Sequence, residues 1–71
     1  MQAGYWFVQP YHVGGNVEAE QRCANCEEVL EKIRTLRSAN TDPNRKLRVH
    51  VPSHASDDER RQIQSLGVEE I

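Results

Sequence analysis

Hydrophobic and polar residues change their spacing several times along the chain, and each change marks an element. Tyr5 to Val13 (YWFVQPYHV) is rich in aromatic and β-branched residues and runs into Gly14-Gly15, a strand entering a tight turn. Asn16 to Arg22 then sets Val17 and Ala19 against Glu18 and Glu20, the two-residue period of a strand with one wet face. From Cys26 the steps become three and four: Cys26, Val29, Leu30, Ile33 and Leu36 form one apolar helical stripe. Asn25 with Glu28 marks its start, Glu28 and Lys32 stand as an i,i+4 pair, Arg34 and Arg37 sit near its last carbonyls, and Asn40 closes it. Ser38 to Asn44 has no period and holds Asp42-Pro43, so it reads as a loop. Lys46 to Val51 alternates again, with Leu47, Val49 and Val51 on one side and Lys46, Arg48 and His50 on the other. Ser56 to Glu59 is a capping box for a second helix, whose narrow apolar edge is Ile63 and Leu66 and whose stop is Gly67.

These elements predict an α+β fold of order ββαβα over residues 1–71: an N-terminal hairpin plus a third strand, with the first helix packed on one face of the sheet. A two-residue turn at Gly14-Gly15 sets His12 opposite Val17, Pro10 opposite Ala19 and Val8 opposite Gln21. Trp6, Val8, Pro10, Val17 and Ala19 then share the core face, and Tyr5, Phe7, Tyr11, Val13, Glu18 and Glu20 share the other. A slip by one residue would exchange the two sets. Pro10 offers no N–H to a ladder, so the first strand is expected at an edge or bulged there. A rival order without the second strand, βαβα with two parallel strands, fits poorly with the wet face of the Lys46 strand, because parallel strands are usually buried on both sides.

Composition narrows the function. With 71 residues of which 37% are hydrophobic, the chain allows one small domain with a thin core. No apolar run is long enough for a membrane span, and the N-terminus lacks the basic start and apolar stretch of a secretory leader. A soluble, cytoplasmic protein without a membrane partner is therefore expected. A formal charge of -2, from 9 Lys+Arg against 11 Asp+Glu, does not favour a nucleic-acid backbone as partner. Charge is unevenly spread, since Asp42 to Arg48 is basic and Asp57 to Glu70 is acidic. No Ser/His/Asp set, phosphate-binding glycine loop or paired-carboxylate site is readable.

Cys23 and Cys26 are the one chemically suggestive motif. A thiol at a helix start is stabilised as thiolate by free N–H groups and the positive dipole end, which suits thiol–disulfide exchange. Helical spacing places Cys26 in the apolar stripe and Cys23 at its margin, so Cys23 would be the accessible thiol and Cys26 the covered one. The run CANCEEVLEKIRTL resembles the active-site helix of thioredoxin and glutaredoxin-like proteins, and SDDERRQIQSLGVEEI resembles their second helix and the approach to the substrate-binding cis-proline. The resemblance covers Cys23 to Ile71 and implies that Cys23 is the nucleophilic and Cys26 the resolving cysteine of a thiol–disulfide oxidoreductase. A structural zinc is another reading, because Cys23-x-x-Cys26 and His50-x-x-x-His54 supply four ligands of suitable type. The plain reading of the pair is a small buried hydrophobe beside an incidental thiol, with no cofactor.

The sheet face opposite the first helix carries the remaining signal. It gathers Tyr5, Phe7 and Tyr11, to which the outer side of the third strand adds Lys46, Arg48 and His50. Aromatic rings among cations serve single-stranded nucleic acids and protein hot spots alike. Glu18 and Glu20 on the same face repel phosphate, which favours a protein partner or a homodimer over nucleic acid. The leading expectation is thus a non-enzymatic interaction module that binds a protein through Tyr5, Phe7, Tyr11, Arg48 and His50. In size and acidic character such a chain resembles the small inhibitors encoded by phages and mobile elements, anti-CRISPR proteins among them.

Overall fold

The computed structural model describes residues 4–71. Its elements are β1 (Trp6–His12), β2 (Gln21–Cys23), α1 (Cys26–Ala39), β3 (Arg45–His50), α2 (Asp57–Ser65) and β4 (Glu69–Glu70). The strands form one sheet in the order β2-β1-β3-β4, antiparallel except for the parallel β3–β4 pair. The fold is α+β and follows the expected ββαβα order, with one short strand added at the end. The rival βαβα order fails because β1 and β3 run antiparallel.

Far from the turn the hairpin keeps the expected register: Trp6 faces Cys23, Phe7 faces Arg22 and Val8 faces Gln21. Near the turn it shifts by one residue: His12 donates to the Asn16 carbonyl and Val17 bridges Tyr11, so Val13, Gly14 and Gly15 form a three-residue loop in place of the expected two-residue turn. The shift falls beside Pro10, whose carbonyl accepts the Glu18 N–H at 2.9 Å. A strand residue points its N–H and C=O to the same side, so the donor that proline lacks is missing from this edge, and an extra residue in the returning segment takes up the gap. β1 is a central strand, so a bulge and not an edge position accommodates Pro10.

The longer loop shifts the period and the bulge restores it at Gln21, which corrects three placements in between. Val17 is 51% exposed and Ala19 is exposed as well, so neither joins the core. Glu18 leaves the open face for the helix side, where both of its carboxylate oxygens accept from Arg45, at 2.8 and 3.0 Å. His12 Nε2 lies 3.0 Å from the same carboxylate, and its Nδ1 lies 3.6 Å from Asp42. The regular second strand is consequently only three residues long.

One buried cluster joins Trp6, Val8, Cys23 and Val49 of the sheet and Val51 just beyond it to Cys26, Val29 and Ile33 of α1 and Ile63 of α2. Both helices therefore cover the same sheet face, each buried aliphatic side chain contributing about 1.5–3 kcal/mol. The expected helix ends form. Asn25 accepts the Glu28 N–H, while the Glu28 carboxylate turns back to the Ala24 N–H at 2.9 Å and away from the anticipated pairing with Lys32. Ser56 and Glu59 exchange both bonds of a capping box, at 2.9 and 3.2 Å. Gly67, at φ +73°, ends the turn after α2 in a conformation that suits glycine, and the chain then lies beside β3 with the Ile71 N–H donating to the Val49 carbonyl. Among the described residues, no helix is long and apolar enough to cross a membrane.

Candidate interaction face and the buried cysteine pair

Paired residues of neighbouring strands project to the same side, so the register fixes the composition of the uncovered face. Phe7 stands opposite His50 and Arg22, Gln9 opposite Arg48, Tyr11 opposite Lys46, and Arg48 beside Glu69. With Tyr5 these residues form a layer opposite the helices. The structure thus places Tyr5, Phe7, Tyr11, Arg48 and His50 together on one face.

Two connected groups make up the layer. In the first, the rings of Phe7 and His50 stack with centroids 5.1 Å apart and planes 12° from parallel, and Tyr5 tilts against Phe7 at 5.9 Å. The Arg22 guanidinium sits 4.2 Å over the Tyr5 ring, and the Tyr5 hydroxyl donates to Glu20 at 2.9 Å. In the second, Arg48 lies 5.6 Å over the Tyr11 ring and donates from Nε to Gln9 at 3.0 Å. Gln9 in turn donates to the Glu18 carbonyl at 3.1 Å, and the Tyr11 hydroxyl donates to Glu69 at 3.0 Å. The bond to Glu69 favours the protonated phenol and pushes the Tyr11 pKa up. Tyr5, Phe7, Gln9, Tyr11, Arg48 and His50 are all half-buried, and contacts among themselves link them.

Sequence reasoning passed over Arg22, Gln9 and Glu69. The expected hairpin register already sets Arg22 opposite Phe7, and Gln9 lies between Phe7 and Tyr11 in the alternation, so both could have been found. Glu69 could not, because β4 has two residues and no period.

The cysteines lie on the other side of the sheet. Both are free thiols, Cys23 7% and Cys26 5% exposed, so Cys23 is not the accessible thiol that helical spacing suggested. As the last residue of β2 opposite Trp6, it faces the core. Burial, reinforced by Glu28 and then partly offset by Lys32, pushes the Cys23 thiol up. Burial with Glu59 and Glu27 does the same for Cys26. These shifts oppose the thiolate that exchange chemistry needs, because burial disfavours the charged sulfur and the acids of the first helical turns add to that. Nor does the four-residue zinc set assemble. Cys23 and Cys26 belong to the core, His50 stacks on Phe7 across the sheet, and His54 lies exposed in the turn beyond it. Among the described residues no three His, Cys, Asp or Glu side chains group to hold a metal ion.

Comparison with protein-family models, curated proteins and solved structures finds no match to this chain.

Proposed function

We propose that the protein is a non-enzymatic interaction module that docks on a protein partner through the open face of its sheet. The observation behind this reading is the ordered layer of Tyr5, Phe7, Tyr11, Arg48 and His50 on the side that neither helix covers. Aromatic and arginine side chains held in place by their neighbours lose little entropy on association, which is the usual make-up of a binding hot spot. The rings also favour protein over single-stranded nucleic acid. Base stacking needs an open ring face, whereas Phe7 and His50 turn faces toward each other and Arg22 covers Tyr5. The rings and the guanidinium groups of this layer suit backbone carbonyls, carboxylates and apolar side chains.

Two buried free thiols belong with a reducing compartment, so a cytoplasmic setting is part of the proposal. So is an inhibitory outcome of docking, of the kind that small acidic phage and mobile-element proteins produce. Thiol exchange and zinc binding have no comparable observation behind them. The test is retention of a partner protein by the immobilised chain. Tyr5→Ala and Phe7→Ala should abolish retention while Cys23→Ser keeps it, and the opposite pattern would overturn the proposal.

A further inference from the structure

β3 presents Lys46, Arg48 and His50 at alternate positions on the open face. An extended backbone advances about 3.3 Å per residue, so these groups stand about 7 Å apart in a line. That interval is also the one between successive side chains on one side of an extended peptide. Arg22 adds a fourth basic group beyond Phe7.

The acids of the layer are engaged locally. Glu20 accepts from Tyr5 and lies 3.9 Å from Arg22, and Glu69 accepts from Tyr11. Most other acids are on the opposite side of the molecule, in the first turns of the two helices: Glu27, Glu28, Asp57, Asp58 and Glu59. The open face thus sets Arg22, Lys46 and Arg48 against Glu20 and Glu69, a positive excess on a chain of overall charge -2. Arg48 is held by Gln9 and Tyr11, which leaves its terminal N–H groups pointing from a fixed stem.

We infer that the segment recognised by this face is an extended acidic peptide strand, its alternate carboxylates lying along Lys46, Arg48 and His50 and an apolar side chain resting on the Tyr5–Phe7 edge. This inference rests on the protein-docking reading above and adds the chemistry of the partner. The carboxylates would meet the lysine ammonium and the arginine fork, and the strand direction would follow β3.

The test uses fluorescence anisotropy at low salt with the whole chain and three labelled probes: an alternating Glu-Thr dodecapeptide, a block peptide of the same composition with all its glutamates at one end, and oligothymidylate. The alternating peptide should bind several-fold tighter than the block peptide and weaken with added salt. Lys46→Gln, at an exposed position that leaves the fold undisturbed, and Arg48→Gln should each weaken it by about fivefold. Equal affinity for both peptides, no peptide binding, or tighter binding of oligothymidylate would overturn the inference. Failure here with partner retention still sensitive to Phe7→Ala would remove the acidic strand and leave the docking face standing. Loss of that sensitivity would remove both.

Discussion

Phe7 on β1 and His50 on β3 face each other across the centre of the sheet, ring centroids 5.1 Å apart and planes 12° from parallel. The pair shows how the open face is built. A strand that directs Trp6 and Val8 into the core must direct Phe7 outward, and a neighbour with Val49 inside must direct His50 the same way.

Removing the Phe7 ring should affect binding far more than folding. The ring is half-buried on the open face, and a cross-strand aromatic pair contributes about 0.5–1.5 kcal/mol, so Phe7→Ala should cost about 1 kcal/mol. Ile33→Ala, which opens the core, should cost about 2–5 kcal/mol. Urea unfolding of the two variants checks the contrast, and equal losses would mean that Phe7 is a core residue.

Acid should loosen the hairpin through Glu18. The bidentate bond from Arg45 holds this carboxyl below its ordinary value of 4.5, with smaller help from His12. A depressed carboxyl contributes stability that is fully present above the unfolded value and is lost as pH falls through the folded one. The stability difference between wild type and Glu18→Gln should therefore be constant above about pH 5 and shrink below about pH 4.5. Denaturation midpoints measured across that range decide it, and a difference that grows on acidification would contradict the assignment.

Both thiols should be slow to react in the folded protein. Cys23 and Cys26 are buried and their pKa values are raised, so little thiolate is present at neutral pH and less is reachable. Labelling with a coloured disulfide reagent should become fast only in denaturant. Rapid native modification of Cys23 would restore the case for thiol exchange.

The hairpin separates what could be read in the sequence from what could not. Alternation in Trp6 to Pro10 and Leu47 to Val51, the Cys26 to Leu36 stripe and the Ser56 capping box were all legible, because each is a local pattern imposed by one face of one element. Glu18 was misplaced and β4 was missed for one reason: each depends on pairing with another segment. The side taken by Glu18 depends on how His12 pairs with Asn16 across the loop and on a bulge opposite Pro10, and two residues become a strand only because β3 offers an edge. The aromatic layer was legible from alternation, and so was the side on which Arg22 and Gln9 lie, whereas their contacts with Tyr5 and Arg48 are seen only in the folded sheet.

The second helix should depend on its cap. α2 has nine residues and one buried side chain, Ile63, so its N-terminal bonds matter more than in α1. Ser56→Ala should cost about 1 kcal/mol. Gly67→Ala, placed at φ +73°, should cost about 1 kcal/mol through backbone strain, since no atom lies within 4 Å of the added methyl. Thermal unfolding of both variants checks these values, and an unchanged melting temperature for Ser56→Ala would show that tertiary packing alone holds α2.

The docking face itself is tested most directly by site-specific photo-crosslinking in cells that make the protein, with the reactive group placed at position 7 on the open face or at position 64 on the exposed side of α2. The account predicts a discrete, protease-sensitive and nuclease-resistant adduct from position 7 and none from position 64. An adduct from position 64 alone, or a nuclease-sensitive adduct from position 7, would contradict it.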